Sequence, residues 1–303
     1  MTPLPPFPRP VYRYLGAVFA AVNRRVAEKI ARVPNCSEPS LDLTFVEQLT
    51  QYAGPQVVAP GWAVRIDVHY LGGLRHFYRW EIADIGVLVL ARQRKRTIAK
   101  KVALLQSKRL YPNSGNIVEE TPEDYQIGFG NLLPSSSSLP SIALSHTFQF
   151  TDQSKYGALQ VKNDQYKAIE EYEKKYALPI HYLLYNPWVV PVSYSYPVTG
   201  PIKLGRMGNG GCRVLPSKAV RGKMAAKPKA YSPTFADFDS LMSKSKANRH
   251  GWRLEYFISG LLMKCRDGAL FESLDQENMF ALFNRRSGPI AAAVAVTVEQ
   301  FGD

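Results

Sequence analysis

An acidic residue and a pair of polar residues interrupt two apolar segments of this chain. Asp84 lies between Ala83 and Ile85, where an unpaired carboxylate is costly to bury and therefore requires a cation. Gln106 and Lys108 end a second apolar segment, and because side chains alternate along a strand, they point to the same face. If the two segments are neighbouring strands, Asp84, Gln106 and Lys108 meet at one edge of a sheet.

These residue types at one place predict hydrolysis of a phosphodiester bond. Mg²⁺ (or Mn²⁺) prefers hard oxygen ligands, which the Asp84 carboxylate, the Gln106 amide oxygen and the Ser107 backbone carbonyl can supply. The metal would polarise the phosphate, while Lys108 would orient or help deprotonate the attacking water and offset negative charge. The alternative is structural: Asp84 forms an ordinary salt bridge with Arg79 or Lys108 on the sheet.

Helices and strands must position these residues. Apolar residues at helical spacing predict an amphipathic docking helix over residues 10–33. A second helix, with Ser40 as its N-cap, carries Glu47 and stops at Gly54-Pro55. Three apolar or alternating stretches predict a meander of consecutive strands, which a helix and a fourth strand follow. These five elements span residues 62–70, 77–91, 102–110, 162–177 and 180–185.

The combination of Asp84 and Gln106-x-Lys108 after a helix that bears an acid resembles the PD-(D/E)XK nuclease superfamily. The closest variant is the Gln-x-Lys form of Mrr-like restriction endonucleases. The resemblance implies that Asp84 and Gln106 bind metal, that Lys108 is catalytic and that Glu47 is the accessory acid from the helix. Glu81 is a further candidate, although in a regular strand it faces away from Asp84.

The resemblance covers roughly residues 40–187 and implies an α/β fold with a restriction-endonuclease-like core, in which helices flank a central mixed sheet. Three parts of the chain are expected: an N-terminal amphipathic helix and arm over 1–39, the nuclease core over 40–199, and a basic lobe over 200–303. The C-terminal α+β lobe is expected to contain a helix over 251–264 and a final strand over 289–298. Gln106 stands where Glu is usual in the superfamily, which removes one negative charge from the site.

The charge of the chain indicates a polyanionic partner. The net charge of +13 and the pI of about 9.6 favour nucleic acid ahead of an acidic membrane surface, and a basic surface that binds nothing is the alternative. A basic turn between the two polar segments is expected to hold phosphates next to the scissile bond. Residues 174–236 contain ten Lys and Arg and no acid, and we expect the basic residues of this stretch to bind the phosphate backbone of a nucleic acid. The candidate nucleic-acid-binding residues are Arg94, Lys95, Arg96, Lys100, Lys101, Arg109, Arg213, Lys218, Arg221 and Lys223.

Cysteine usage and hydropathy bear on location. Cys36, Cys212 and Cys265 are odd in number and include no C-x-x-C pair, so we expect reduced thiols in a cytoplasmic protein. The first residues lack the pattern of a secretory signal, and no apolar run reaches about 18 residues. The sequence therefore predicts no membrane span.

The sequence as a whole predicts a Mg²⁺-dependent endonuclease that cuts double-stranded DNA. The resemblance implies a setting in restriction or anti-phage defence, with targeting by a homodimer, a partner protein or the last lobe. Two alternatives stay open. One is a non-catalytic nucleic-acid-binding module on a degenerate nuclease core, and the other is an RNA-directed nuclease.

Overall fold

A computed structural model describes residues 3–71, 82–113, 146–196, 198, 200–206, 208–242, 251–270 and 290–301. The helices are α1 (Arg9–Arg32), α2 (Glu38–Thr50), α3 (Asp164–Tyr176), α4 (Ser217–Met224), α5 (Phe235–Met242) and the short α6 (Leu254–Tyr256), which continues as a π-helix over Phe257–Leu262. The strands are β1 (Gln56–Ala59), β2 (Trp62–Tyr70), β3 (Ala83–Gln93), β4 (Arg96–Arg109), β5 (His146–Phe150), β6 (Ile180–Tyr185), β7 (Val192–Tyr196), β8 (Arg213–Pro216), β9 (Trp252–Arg253), β10 (Ala269–Leu270) and β11 (Ile290–Gln300).

Nine of these strands form one mixed sheet in the order β1-β2-β11-β3-β4-β6-β8-β9, with β10 beside β4. Strand β3 is antiparallel to β4, and β4 is parallel to β6. Strands β5 and β7 form a separate antiparallel pair. Helices α1 and α2 contact strands of the main sheet. The predicted class, a mixed α/β fold with helices beside a central sheet, is confirmed.

The predicted three-strand meander is wrong, because β11 lies between β2 and β3. Strand β11 runs antiparallel to β2 and parallel to β3. Its sequence is almost continuously apolar from Ile290 to Val298, which is typical of a strand buried on both faces. Strands β8, β9 and β10 also come from beyond residue 200, so the described part of the sheet shows no division at that residue.

Helix α1 docks on the rest of the protein, as its apolar periodicity predicts. Val11, Leu15, Val22, Val26 and Ile30 are fully buried. The helix lies against α2 and against α6 with its π-helical continuation. No helix within the described residues is long and apolar enough to cross a membrane.

Helix α2 begins earlier than predicted, and Ser40 is not its N-cap. The N-cap residue is Ser37, and Glu38 and Pro39 form the start of the helix. Proline suits this position because a backbone N–H there would have no partner within the helix. The earlier start brings Glu38 into the first turn, one turn away from Asp42 on the same face.

Candidate active site

The structure brings Asp84 and Gln106 into contact, as the strand pattern predicts. Ile85 pairs with Leu105, so the preceding residue Asp84 lies beside Gln106 at the edge of the ladder. The Gln106 side-chain amide donates to Asp84 Oδ2 at 2.5 Å. The backbone N–H and the hydroxyl of Ser107 donate to the same oxygen at 2.6 and 2.8 Å. Three donors, two of them from Ser107, thus converge on one carboxylate oxygen.

Helix α2 supplies an acid that fixes Lys108. The Lys108 amino group lies 3.1 Å from Glu38 Oε1, and the Arg109 backbone N–H donates to Glu38 Oε2 at 2.9 Å. Lys108 is 3% exposed and Glu38 is 7% exposed, so the pair is shielded from water. The salt bridge that the sequence left open between Lys108 and Asp84 is therefore made with Glu38 instead.

Asp42, one turn further along α2, completes the cluster. The Ser107 hydroxyl lies 2.9 Å from Asp42 Oδ2, and the Tyr185 hydroxyl at the end of β6 donates to Asp42 Oδ1 at 2.7 Å. Because Ser107 Oγ also contacts Asp84, one hydroxyl bridges two carboxyl groups. Four elements, α2, β3, β4 and β6, therefore meet at this point.

Burial raises the pKa values of the two aspartates of the cluster. Burial, together with the charges of Asp84 and Glu38, raises the pKa of Asp42 well above its ordinary value. Burial also raises the pKa of Asp84, against the opposing effects of Lys108 and the Ser107 hydrogen bonds. Both carboxyl groups would therefore gain from a further positive charge close to them.

The pKa of Lys108 is raised as well, which for an amine favours the charged form. Burial opposes its charge, but Glu38 and Asp84 outweigh burial and raise the pKa of Lys108 above its ordinary value. Lys108 is therefore a cation at neutral pH. In this state it can stabilise negative charge, whereas it has no free electron pair with which to take a proton from water.

The amide oxygen of Gln106 is buried and has no hydrogen-bond partner among the described residues. Such an atom loses its hydration on folding and is costly to bury without a partner, which a bound cation can supply. Amide and carboxylate oxygens are the ligands that Mg²⁺ prefers. No three His, Cys, Asp or Glu side chains in the described part of the chain lie close enough to hold a metal ion. A cation here would therefore depend on Gln106 Oε1 in addition to Asp84 and Asp42.

The structure does not bring Glu47 to the site. Glu47 is exposed, and it lies nine residues after Glu38, about two and a half helical turns, so it points to the opposite side of α2. The expected role of a helix-borne acid thus falls to Glu38 and Asp42. The sequence signal for them is the spacing of four residues between Glu38 and Asp42, at a helix start that Ser37 and Pro39 mark. Glu81 and Arg79 lie outside the described residues.

Three predicted nucleic-acid-binding residues are buried and serve the fold. Lys101 is 1% exposed, and burial lowers its pKa. The Arg109 guanidinium is 1% exposed, donates to the Pro34 carbonyl and lies over the Tyr111 ring. The Arg213 guanidinium donates to the carbonyls of a glycine-rich loop, at Gly210 and Asn209. These residues lie within strands of the sheet, where neighbouring elements cover their side chains.

The other predicted cations remain on or near the surface. Arg221 is partly exposed and forms an ion pair with Glu173 at 2.7 Å. The exposed members of the predicted set are Arg94, Lys95, Arg96, Lys100, Lys218 and Lys223.

The basic turn does not lie next to the candidate site, in contrast to the prediction. Gln106 lies ten residue steps after Arg96 along β4, which at about 3.3 Å per residue corresponds to roughly 33 Å. Helix α4 starts closer to the level of the site. It follows β8, whose last residue Pro216 pairs with His181, and His181 pairs with Leu105. The first turn of α4, which carries Lys218, thus lies closer to the level of Gln106 than the basic turn does.

No family model, no curated protein and no solved structure matches this chain. The function must therefore be inferred from the geometry of the cluster itself.

Proposed function

We propose that this chain is a metal-dependent endonuclease that hydrolyses phosphodiester bonds of DNA at the cluster of Asp84, Gln106 and Lys108. The observation that carries the proposal is the buried amide oxygen of Gln106, which has no hydrogen-bond partner among the described residues and lies beside two carboxyl groups whose pKa values are raised. A divalent cation would satisfy all three groups at once. The adjacent ammonium group of Lys108 would then face the phosphate.

In this proposal Asp84, Asp42 and the Gln106 amide oxygen would hold Mg²⁺ or Mn²⁺. When bound, the metal supplies a Lewis acid that polarises the phosphate and activates water. Lys108 stabilises the negative charge that develops on the phosphorus-bound oxygens. Glu38 positions Lys108, since it fixes the amino group by an ion pair and is itself anchored by the Arg109 backbone N–H.

The arrangement of elements also supports the proposal. A helix that bears acids precedes a strand with Asp84, an antiparallel strand with Gln106 and Lys108, a helix, and a strand parallel to the second. This order is similar to the one that the PD-(D/E)XK resemblance implies. The insertion of β11 beside β3 departs from it, but leaves the β3-β4-β6 order intact.

A plasmid assay tests the proposal. The wild-type protein is expected to nick or linearise supercoiled DNA with Mg²⁺ or Mn²⁺ and to be inactive with EDTA. Lys108→Ala should reduce the rate at least about 100-fold, the scale of one lost electrostatic contact to the transition state. Lys174→Ala, on the exposed face of α3, should leave it unchanged. Cleavage that persists undiminished in Lys108→Ala would contradict the proposal, and labelled RNA tested beside DNA identifies the substrate.

One observation favours a second function, a nucleic-acid-binding module without catalysis. Lys108 is paired with Glu38, and the described residues contain no group of three acidic, histidine or cysteine side chains for a metal. For such a module we expect nucleic-acid binding that is independent of metal. Isothermal titration of Mn²⁺ separates the two functions, because the nuclease requires metal binding that Asp84→Asn and Asp42→Asn each weaken.

A further inference from the structure

The turn between β3 and β4 concentrates exposed positive charge. Residues 92–101 contain six Lys and Arg and no acid, and residues 93–98 are all exposed. The acid on the neighbouring strand β11 is Glu299, which lies opposite Arg92 in the register of the two strands. We call residues 92–100 the basic hairpin. Its exposed cations are Arg94, Lys95, Arg96 and Lys100.

The backbone at the tip of the basic hairpin is unfavourable for its residues. Gln93 pairs with Arg96, so Arg94 and Lys95 form a two-residue turn, with φ angles of 47° and 67°. Positive φ at both positions is typical of a type I′ turn, where Asn-Gly is favoured. Two long cationic side chains there reduce stability, and strain of this kind is usually kept where a function needs the residues. The strain therefore points to a use for the two charges outside the hairpin.

The distance between the basic hairpin and the candidate site matches a repeat of DNA. Arg96 and Gln106 are roughly 33 Å apart along β4, and one turn of B-DNA is about 34–36 Å long. A duplex whose axis is parallel to β4, with its scissile phosphate at the level of Gln106 and Lys108, presents the same side of its backbone again near the hairpin.

We propose that the basic hairpin binds backbone phosphates of double-stranded DNA about one helical turn from the bond that is cut. This inference rests on the proposed function for the direction of the duplex. Phosphate contacts of this kind fix the register of a duplex and carry no sequence information. The hairpin would therefore make binding depend on duplex length rather than on sequence.

Binding to duplexes of two lengths tests the proposal. Affinities are measured with EDTA for duplexes of about 8 and about 24 base pairs, shorter and longer than one helical turn. Arg94→Gln/Lys95→Gln/Arg96→Gln should weaken binding of the long duplex at least about tenfold and lower its salt slope by roughly 0.9 per lost contact. The short duplex should bind equally well to both proteins. The matched control Lys167→Gln/Lys174→Gln/Lys175→Gln removes three exposed charges from α3 and should have little effect.

A second variant separates binding from folding. Arg94→Asn/Lys95→Gly installs the favoured turn pair, so it should raise the unfolding temperature while weakening long-duplex binding. An equal loss in the α3 control, or an equal loss for both duplex lengths, would overturn the proposal. So would loss of binding to phosphatidylserine vesicles with duplex binding intact, which would indicate a lipid surface. Because binding is measured without metal, and plasmid cleavage by the wild type is scored separately, failure of the nuclease proposal is distinguishable from failure of this one.

Discussion

Glu38 Oε1 lies 3.1 Å from the amino group of Lys108, and both side chains are buried. Removing one partner from such a pair leaves an uncompensated charge, whereas replacing both by apolar residues of similar size is often neutral or stabilising. The ion pair therefore matters differently for folding and for the proposed chemistry. The pair is replaceable as a contribution to stability, but nothing apolar can replace the charge of Lys108 at a phosphate.

Glu38→Ala should destabilise the protein by about 3–5 kcal/mol, because Lys108 loses its buried counterion. Glu38→Met/Lys108→Met should recover most of this loss and still be inactive on plasmid. Unfolding in urea measures both variants, with Lys174→Ala as a surface control that should change stability by less than about 0.5 kcal/mol. If Glu38→Ala is as stable as the wild type, the ion pair does not exist in solution.

Gln106→Glu should make the protein depend on metal for its stability. The new carboxylate would be buried beside Asp84, so without metal we expect a loss of about 1–3 kcal/mol. Binding of a divalent cation to the folded state should offset this loss, by about 2.7 kcal/mol at a hundredfold excess over Kd. Thermal unfolding with and without Mn²⁺ measures the effect. Gln56→Glu on the exposed strand β1 is the control, and an identical Mn²⁺ response in both variants would argue against a metal at Gln106.

The local pattern of the sequence was enough to bring Asp84, Gln106 and Lys108 together. Alternation along a strand does not depend on the strand's other neighbours, so the Asp84–Gln106 contact follows once β3 and β4 are adjacent. Two apolar segments joined by a short turn are usually adjacent. The distance of the basic turn from the site does not follow from this pattern, because alternation gives no information on the length of a strand. The 14 residues of β4 place the turn far from the site.

Pairing between strands that are distant in the sequence cannot be derived from local patterns. The insertion of β11 between β2 and β3 joins residues more than 190 positions apart, and no local signal selects its neighbours. The almost continuous run of apolar residues in β11 was the available sign of an interior strand. The burial of three cations does not follow from composition, because Lys and Arg are mostly exposed and a count of charges does not tell which ones are buried. The three are Lys101, Arg109 and Arg213.

The stability of the protein should fall in acid partly through Asp267. Burial acts against ionisation, but the contact of 2.9 Å with the buried His181 ring, together with the Gly268 backbone N–H and the charge of Lys101, outweighs it and lowers the pKa of Asp267. A depressed pKa in the folded state contributes stability above the unfolded pKa of about 3.9, and this contribution is lost as the pH falls through the folded pKa. Asp267→Asn should therefore reduce stability at pH 7 and flatten its decline below pH ~4. The control Asp164→Asn, at an exposed position, should leave the pH dependence of the urea unfolding midpoint unchanged. If the pH dependence of Asp267→Asn also equals that of the wild type, Asp267 does not interact with His181 in solution.

Asn23 should couple the N-terminal helix to the region after residue 200. Its side chain is fully buried, accepts from the Cys212 backbone N–H at 2.7 Å and donates to Glu255 at 2.8 Å. Asn23→Leu leaves the buried Cys212 N–H without this acceptor and removes one hydrogen bond from Glu255, which keeps its contact with Arg253 at 2.7 Å. We therefore expect a cost of about 1–3 kcal/mol. The neighbouring substitution Arg24→Leu, at an exposed position, should cost less than about 0.5 kcal/mol.

The way in which Asn23→Leu unfolds also tests the expected division into an arm, a core and a C-terminal lobe. If the sheet and α1 unfold as one cooperative unit, far-UV circular dichroism and tryptophan fluorescence should shift together in this variant. Trp62 on β2 and Trp252 on β9 report from opposite ends of the strand order. Each can be followed alone after the other tryptophans are replaced by Phe. A midpoint that falls for Trp252 but stays at the wild-type value for Trp62 would indicate that the C-terminal part unfolds as a separate unit, despite sharing the sheet.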